Sequence, residues 1–199
     1  MRSVQALADT AVHGLTLAED DVMQWYDIAM EEHAELWGAI GGDSYGLHDL
    51  FAVSALASYN ASPARQCQIL TEWIADGMDP ELPGFLPNAR EGMAAWNRHG
   101  RLLTAKAEAY RIAMMEGSQS DSVVLDRHML RACDLKYSSR PLGAEPAYNL
   151  AASRVRKAGR MLGISGAQCQ AAIWYSQVWS TSGRVYGSEG LIRLSLPAC

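Results

Sequence analysis

Lys106 and Asp126 are the two residues whose types and surroundings best suit covalent chemistry. Lys106 is one of only three lysines, and it lies among alanines at the predicted start of a helix. A lysine removed from water loses its proton more easily, and the neutral amine is a nucleophile. Asp126 follows a short apolar run and precedes a helical pattern, where backbone N–H groups and the helix dipole favour an ionised carboxylate. Brought together, the two residues would form a site with an amine nucleophile and a negative charge.

A basic segment surrounds this pair. Residues 98–160 carry 12 Lys/Arg and 6 Asp/Glu, whereas residues 1–97 carry 3 and 15, so the net charge of −5 hides a concentrated positive region. Such a segment suits contact with phosphates while the acidic remainder faces water. A solvated basic helix face is the simpler interpretation, and the sequence leaves it open.

The elements that must position these residues are predicted to be helices. Alanine, leucine, methionine, glutamine and glutamate are abundant and alternating β-branched runs are nearly absent, which is typical of an all-α protein. We expect Thr16 or Asp20 to cap a first helix that runs to Trp37. Further helices are predicted at about 47–57, 64–77, 90–98, 102–116, 126–136, 144–162 and 166–179. Residues 77–90 contain three prolines and two glycines and are predicted to connect two helical groups.

Several classes of protein and site are disfavoured by the sequence. The chain lacks a run of about 18 apolar residues and a secretion signal at its start, so we expect a cytoplasmic protein. Its four cysteines are far apart, which predicts reduced, mostly buried thiols. The acidic residues and histidine at positions 31–35 would point around a helix instead of sharing one face. We therefore expect neither a metal nor a cofactor.

The segment 102–133 resembles the helix-hairpin-helix DNA glycosylases, especially the 8-oxoguanine glycosylase and endonuclease III branches. Their Val-Asp-x-His-x-x-Arg-like signature matches residues 125–131, Leu-Asp-Arg-His-Met-Leu-Arg, and their nucleophilic lysine matches Lys106, 20 positions before Asp126. The family's hairpin usually reads Leu-Pro-Gly-Val-Gly. In this chain only Gly100 of that motif remains, so either Arg101 or Thr104 takes over the phosphate contact or DNA is held more weakly than by the repair enzymes.

Two further likenesses extend the comparison. The predicted helix break at 58–65 resembles the glycosylase loop that inserts a side chain into the base stack, which would be Asn60, and offers an arginine to the opposite strand, which would be Arg65. Residues 45–180 also look like the phage-associated group of α-glutamyl/putrescinyl thymine pyrophosphorylases. That likeness rests on the same loop, on Lys106 with Tyr110, on Asp126-x-His128, and on residues 170–174.

These resemblances imply an all-α, helix-hairpin-helix glycosylase-like fold in which residues 1–199 form one unit. Two helical lobes, about 1–85 with the C-terminal helices and 86–162, would flank a cleft. The implied protein is a monomer that binds double-stranded DNA, flips out a modified base such as a hypermodified pyrimidine, and excises it in phage DNA metabolism or antiphage defence. Asp126 and Lys106 would be the catalytic residues, for base excision and for an associated strand cleavage. DNA contacts would come from Asn60, Arg65, Arg101, Thr104, His128 and Arg131, and the base pocket from Tyr59, Trp174 and Tyr175.

Two other functions fit the same sequence. A transferase or pyrophosphorylase-like enzyme of DNA hypermodification would keep Asp126 without needing Lys106 as a nucleophile. A noncatalytic helical DNA-binding protein would need neither residue. In the simplest structural interpretation Lys106 is an exposed helix lysine, Asp126 is a helix cap, and His128 and Arg131 belong to a polar helix face.

Overall fold

All regular structure in the described residues of the computed structural model is helical, which confirms the all-α prediction. The described residues are 1–39, 46–58, 68–70, 72–73, 87–135 and 146–183. Their helices are α1 (Val4–Met23), α2 (Trp25–Ala39), α3 (Gly46–Ala57), α4 (Pro87–His99), α5 (Ala105–Glu116), α6 (Arg127–Ala132), α7 (Pro146–Leu162) and α8 (Gly166–Ser182), with a 3₁₀ turn at Gly117–Gln119. Residues 68–70 and 72–73 are also helical. No described helix is both long and apolar enough to cross a membrane.

The start of the first helix was predicted wrongly. Ser3, not Thr16 or Asp20, is the N-cap, and its side chain accepts a hydrogen bond from the backbone N–H of Ala6. Thr16 and Asp20 lie inside α1. The helix begins this early because its first turns already carry a buried face of small and apolar residues with helical spacing. These residues are Leu7, Ala8, Ala11 and Gly14.

The predicted continuous helix to Trp37 is wrong as well. Ala18 has the non-helical dihedral angles φ −162° and ψ 66°, so α1 is kinked there. Gln24 then caps the C-terminus of α1, and α2 begins at Trp25. The kink and the cap divide one predicted element into separate helices, so Trp25 and Tyr26 come to the start of α2.

The helices pack around three hydrophobic clusters. The first, which includes Leu7, Leu125 and Ile173, lies among α1, α6, α7 and α8. The second joins α3, α4 and the N-terminal part of α5, and the third joins α2 to the C-terminal half of α5. Ala105 packs on the first cluster and Ala107 belongs to the second, so Lys106 lies where the two clusters meet. The predicted boundary between lobes, near residues 85 and 86, lies outside the described residues.

Replacing Gly14 with alanine is expected to lower the free energy of unfolding by about 2 to 3 kcal/mol. Gly14 is buried in α1, and an added Cβ would overlap the backbone carbonyl of Ala172 in α8, which cannot swing aside as the end of a side chain can. Gly38→Ala is the matched control, because the Cβ at position 38 of α2 meets no atom within 4 Å. The control should be slightly more stable than wild type, by up to about 1 kcal/mol. Urea unfolding of both variants measures the difference, and a Gly14→Ala protein as stable as wild type would contradict the close packing of α1 on α8.

His33 is a core residue that links α2 to α3. Its Nδ1 lies 2.7 Å from the carbonyl oxygen of Ala29, and its Nε2 lies 2.8 Å from Oγ of Ser54. A carbonyl only accepts hydrogen bonds, so Nδ1 carries the proton and Nε2 of the neutral ring accepts from Ser54. Burial lowers the pKa of His33 from 6.5 to about 4, although the hydrogen bond to Ala29 acts in the opposite direction.

The free energy of unfolding should therefore fall by about 2 kcal/mol between pH 7 and pH 5. In this range the unfolded chain protonates His33 and the folded chain does not, so stability is complete above the unfolded pKa and is lost as the pH falls towards the folded pKa. Urea unfolding at both pH values measures the effect. His33→Gln is the control. Between pH 7 and pH 5 its free energy of unfolding should fall by about 2 kcal/mol less than that of wild type. Equal pH dependence in the two proteins would show that His33 is not a buried neutral group.

Two of the four cysteines are described, and both are buried free thiols, as predicted. Cys133 and Cys169 belong to the first hydrophobic cluster. Burial raises the pKa of Cys133 to about 11 and that of Cys169 to about 12, so both thiols stay protonated at neutral pH. Cys67 and Cys199 lie outside the described residues.

Candidate active site

A tight turn connects α4 to α5 directly before Lys106. Gly100 opens the turn with φ 64°, and Thr104 closes it as the N-cap of α5. The carboxylate of Glu108 accepts a hydrogen bond from the backbone N–H of Leu102 at 3.0 Å and pairs with Arg111 at 2.6 Å. These contacts fix the turn, so the start of α5 is held rigidly.

Lys106 lies in the first turn of α5, at the start of a helix as predicted. Its Nζ donates to the backbone carbonyl oxygen of Ser58 at 3.4 Å. Burial lowers the pKa of Lys106 from its ordinary value, while the charge of Asp126 raises it and that of Arg127 lowers it. The amine therefore loses its proton at a lower pH than an exposed lysine does, as a nucleophilic lysine requires.

Asp126 is the N-cap of α6, and each of its carboxylate oxygens has a different partner. Oδ1 accepts from the backbone N–H of Met129 at 2.8 Å, and Oδ2 accepts from the indole Nε1 of Trp174 at 2.9 Å. Two donors from separate helices thus fix the orientation of the carboxylate. The helix start that the sequence predicted at Asp126 is confirmed, and the bond from Trp174 in α8 was not foreseen.

The charges of Lys106 and Asp126 interact, but the described residues show no direct ion pair between them. A carboxylate in direct contact with Lys106 would raise the pKa of the lysine. It would thereby favour the protonated form, which has no free lone pair. The arrangement instead supplies an amine of lowered pKa and an oriented negative charge in one region.

Aromatic side chains line the region next to Asp126. The ring of Trp174 has its centroid 5.5 Å from that of Trp25, 5.8 Å from that of Tyr175 and 6.0 Å from that of His128. Tyr175 is buried and meets Trp25 edge-on. The structure therefore brings the predicted pocket residues Trp174 and Tyr175 together, and it adds Trp25 from the start of α2.

The predicted DNA-contacting residues differ in their surroundings. Arg101 and Arg131 are exposed, and Thr104 accepts a hydrogen bond from the backbone N–H of Ala107 as a helix cap. His128 packs against Trp174, and its buried Nδ1 has no hydrogen-bond partner in the described part of the chain. The predictions for Tyr59, Asn60 and Arg65 fall outside the described residues.

Sequence reasoning missed two buried tyrosines whose charges interact with the site region, Tyr26 and Tyr148. The hydroxyl of Tyr26 donates to Oε1 of Gln170 at 2.6 Å, and both side chains are buried. Burial raises the pKa of Tyr26 well above 10, and the charges of Tyr110, Asp126 and Tyr148 raise it further. Gln170 belonged to a noted segment of the sequence, whereas Tyr26, 144 positions earlier, gave no signal.

Arg127 was also missed as a candidate for contact with substrate. It is exposed, and its charge lowers the pKa of Lys106. Its place in the sequence, directly after Asp126, was the only available signal. An exposed guanidinium is suited to binding an anionic group such as a phosphate.

No protein-family model matches the chain, and no curated protein or solved structure matches it either. The assignment of a function therefore depends on the geometry and chemistry of the site itself.

Proposed function

We propose that this protein is a DNA glycosylase, with a helix-hairpin-helix glycosylase-like fold, that excises a modified base from double-stranded DNA. One observation supports the proposal: burial lowers the pKa of the Lys106 amine, and the charge that acts on this amine from Asp126 belongs to a carboxylate oriented by Met129 and Trp174. Cleavage of an N-glycosidic bond develops positive charge on the sugar, and an oriented carboxylate stabilises that charge. The neutral amine supplies the nucleophile.

The proposed reaction proceeds by displacement at C1′ of the target nucleotide. The neutral Nζ of Lys106 forms a bond to C1′ as the bond from C1′ to the base breaks, and the base leaves with that electron pair and takes up a proton. The amine gives its extra proton to Asp126. The nitrogen lone pair then forms a C=N bond as the C1′–O4′ bond breaks, and O4′ takes the proton back from Asp126, which gives a protonated Schiff base between Lys106 and C1′. Loss of a C2′ proton to water or to the carboxylate, with departure of the 3′ phosphate as the C3′–O bond breaks, cleaves the strand.

Access to C1′ requires that the base leaves the duplex. Flipping costs a few kcal/mol of lost stacking and pairing, and aromatic side chains can offset part of it. A cluster of aromatic rings beside Asp126 is suited to contacting a flipped base. It consists of Trp25, Trp174 and Tyr175. Arg101, Arg127 and Arg131 are exposed and available to phosphates, in a chain whose positive charge is concentrated in residues 98–160.

A hypermodified pyrimidine is the substrate class that we propose, in phage DNA metabolism or in defence against phages. The likeness of residues 45–180 to the phage-associated thymine pyrophosphorylase group supports this choice.

Release of free base from defined duplexes tests the proposal. Oligonucleotides that carry one hypermodified pyrimidine or one oxidised purine are incubated with the protein, and mass spectrometry measures the free base. We expect release from at least one modified duplex, none from unmodified DNA, and binding that weakens steeply as salt rises. Intact bases in every duplex, together with binding that does not depend on salt, would contradict the proposal.

A further inference from the structure

Tyr148 of α7 reaches the backbone beside both candidate catalytic residues. Its hydroxyl oxygen lies 3.0 Å from the carbonyl oxygen of Val123 and 3.4 Å from that of Ala105, and it accepts from the backbone N–H of Leu125 at 3.3 Å. The side chain is 4% exposed. A tyrosine hydroxyl has one proton and also accepts, so it can accept from Leu125 while its proton is shared between the two carbonyl oxygens in a three-centre hydrogen bond, with Val123 as the nearer acceptor.

The backbone groups that Tyr148 contacts lie next to the two candidate catalytic residues. Ala105 directly precedes Lys106, and Leu125 directly precedes Asp126. The two segments come from different parts of the fold, since α5 follows the turn after α4 and residues 123–125 lead into α6. One buried hydroxyl therefore connects the start of the helix that carries the amine to the segment that leads into the carboxylate.

We propose that Tyr148 is a positioning residue that sets the separation of Lys106 and Asp126 by hydrogen-bonding the backbone that precedes each of them. The catalytic consequence rests on the proposed function, whereas the mechanical role does not. Tyr148 acts through the backbone and touches no substrate. Errors of about 1 Å in the placement of reacting groups cost up to about a hundredfold in rate, so loss of this bridge should affect the chemical step.

Ser122 provides a matched comparison. Its hydroxyl donates to the carbonyl oxygen of Ala109 at 2.8 Å, so it joins the same two parts of the chain one helical turn farther along α5. Tyr148→Phe and Ser122→Ala each remove one hydroxyl from this contact region. Only Tyr148→Phe removes a contact to the residue directly before Lys106.

The first measurement needs no DNA. In protein labelled with ¹³C-lysine, the pH titration of the Lys106 Cε resonance is followed by NMR, and this resonance is identified as the one absent from Lys106→Gln. In Tyr148→Phe the pKa of Lys106 should move towards the ordinary lysine value, because a loosened helix start admits water to the amine. In Ser122→Ala it should stay at the wild-type value. An unchanged titration in folded Tyr148→Phe, or the same shift in both variants, would overturn the proposal.

The second measurement is the rate of base release. In Tyr148→Phe we expect kcat to fall about tenfold or more while KM for DNA stays the same, because binding depends on phosphate contacts that Tyr148 does not make. A rise in KM with no change in kcat would overturn the positioning role. If the Lys106 titration shifts as expected but wild-type protein releases no base, the proposed function fails and the bridge stands.

A third measurement uses wild-type protein and does not depend on the folding of a variant. The ring protons next to the Tyr148 hydroxyl should show nuclear Overhauser contacts to the amide proton of Leu125, and the hydroxyl proton should exchange slowly because it is buried and hydrogen-bonded. Absence of the contact to Leu125 in folded protein would overturn the bridge directly.

Discussion

Asp126→Asn is expected to lower the rate of base release by about a hundredfold or more while DNA binding is retained or becomes tighter. Asparagine keeps the shape of the side chain and removes the negative charge that would face the developing cation on the sugar. It also relieves repulsion between the carboxylate and DNA phosphates. Single-turnover release of the base measures the rate, and fluorescence anisotropy with the same duplex measures binding.

The hydrogen bonds of Asp126 suggest a control for this experiment. Asparagine has one carbonyl oxygen, so it can cap Met129 or accept from Trp174 but cannot do both with separate oxygens as the carboxylate does. A buried indole N–H left without an acceptor costs about 1 to 3 kcal/mol. The double variant Asp126→Asn with Trp174→Phe removes that donor. Its base release should stay as low as in the single variant, and recovery of the wild-type rate would remove the charge of Asp126 from the mechanism.

Lys106→Gln is expected to abolish the covalent protein–DNA adduct that borohydride traps, and strand cleavage with it. Glutamine occupies similar space but has no nucleophilic amine, so no Schiff base can form. Denaturing electrophoresis of borohydride-treated mixtures shows the adduct as a band of reduced mobility. The same reaction without borohydride, on end-labelled DNA, shows strand cleavage.

Lys157→Gln is the control for loss of a lysine. Lys157 is exposed on α7, so this variant loses a lysine amine at a distance from the proposed site, and its trapping should equal that of wild type. Base release that persists in Lys106→Gln at a reduced rate, with a wild type that never traps, would show that water is the nucleophile. That result would leave the role of Asp126 unchanged.

Local signals in the sequence predicted most of the helices. Asp126 begins α6 because its side chain caps the backbone, and that information is contained within four residues. The sequence predicted that α6 ends at 136, but it ends at Ala132. Asp134 has a positive φ of 54°, a conformation that usually requires glycine, and no glycine is present there to indicate the helix end. Aspartate adopts this conformation more readily than most residues, but a single aspartate does not predict it.

The site could be predicted only where its residues follow one another in the sequence. Lys106 and Asp126 stood out because of their neighbours and their spacing. The bond from Trp174 to Asp126 joins positions 48 apart, and the bond from Tyr26 to Gln170 joins positions 144 apart. Such pairs depend on how helices pack against each other, and helical periodicity shows which face is buried without showing what that face meets.

Trapping with wild-type protein tests the central claim most directly. The protein is incubated with duplex DNA that carries a hypermodified pyrimidine, borohydride is added, and the adduct is digested and mapped by mass spectrometry. Reduction of a Schiff base leaves a stable secondary amine on the attacking residue, so the account predicts a deoxyribose-bearing peptide modified at Lys106. Base release without any adduct, or an adduct confined to Lys136, Lys157 or the amino terminus, would contradict attack by Lys106.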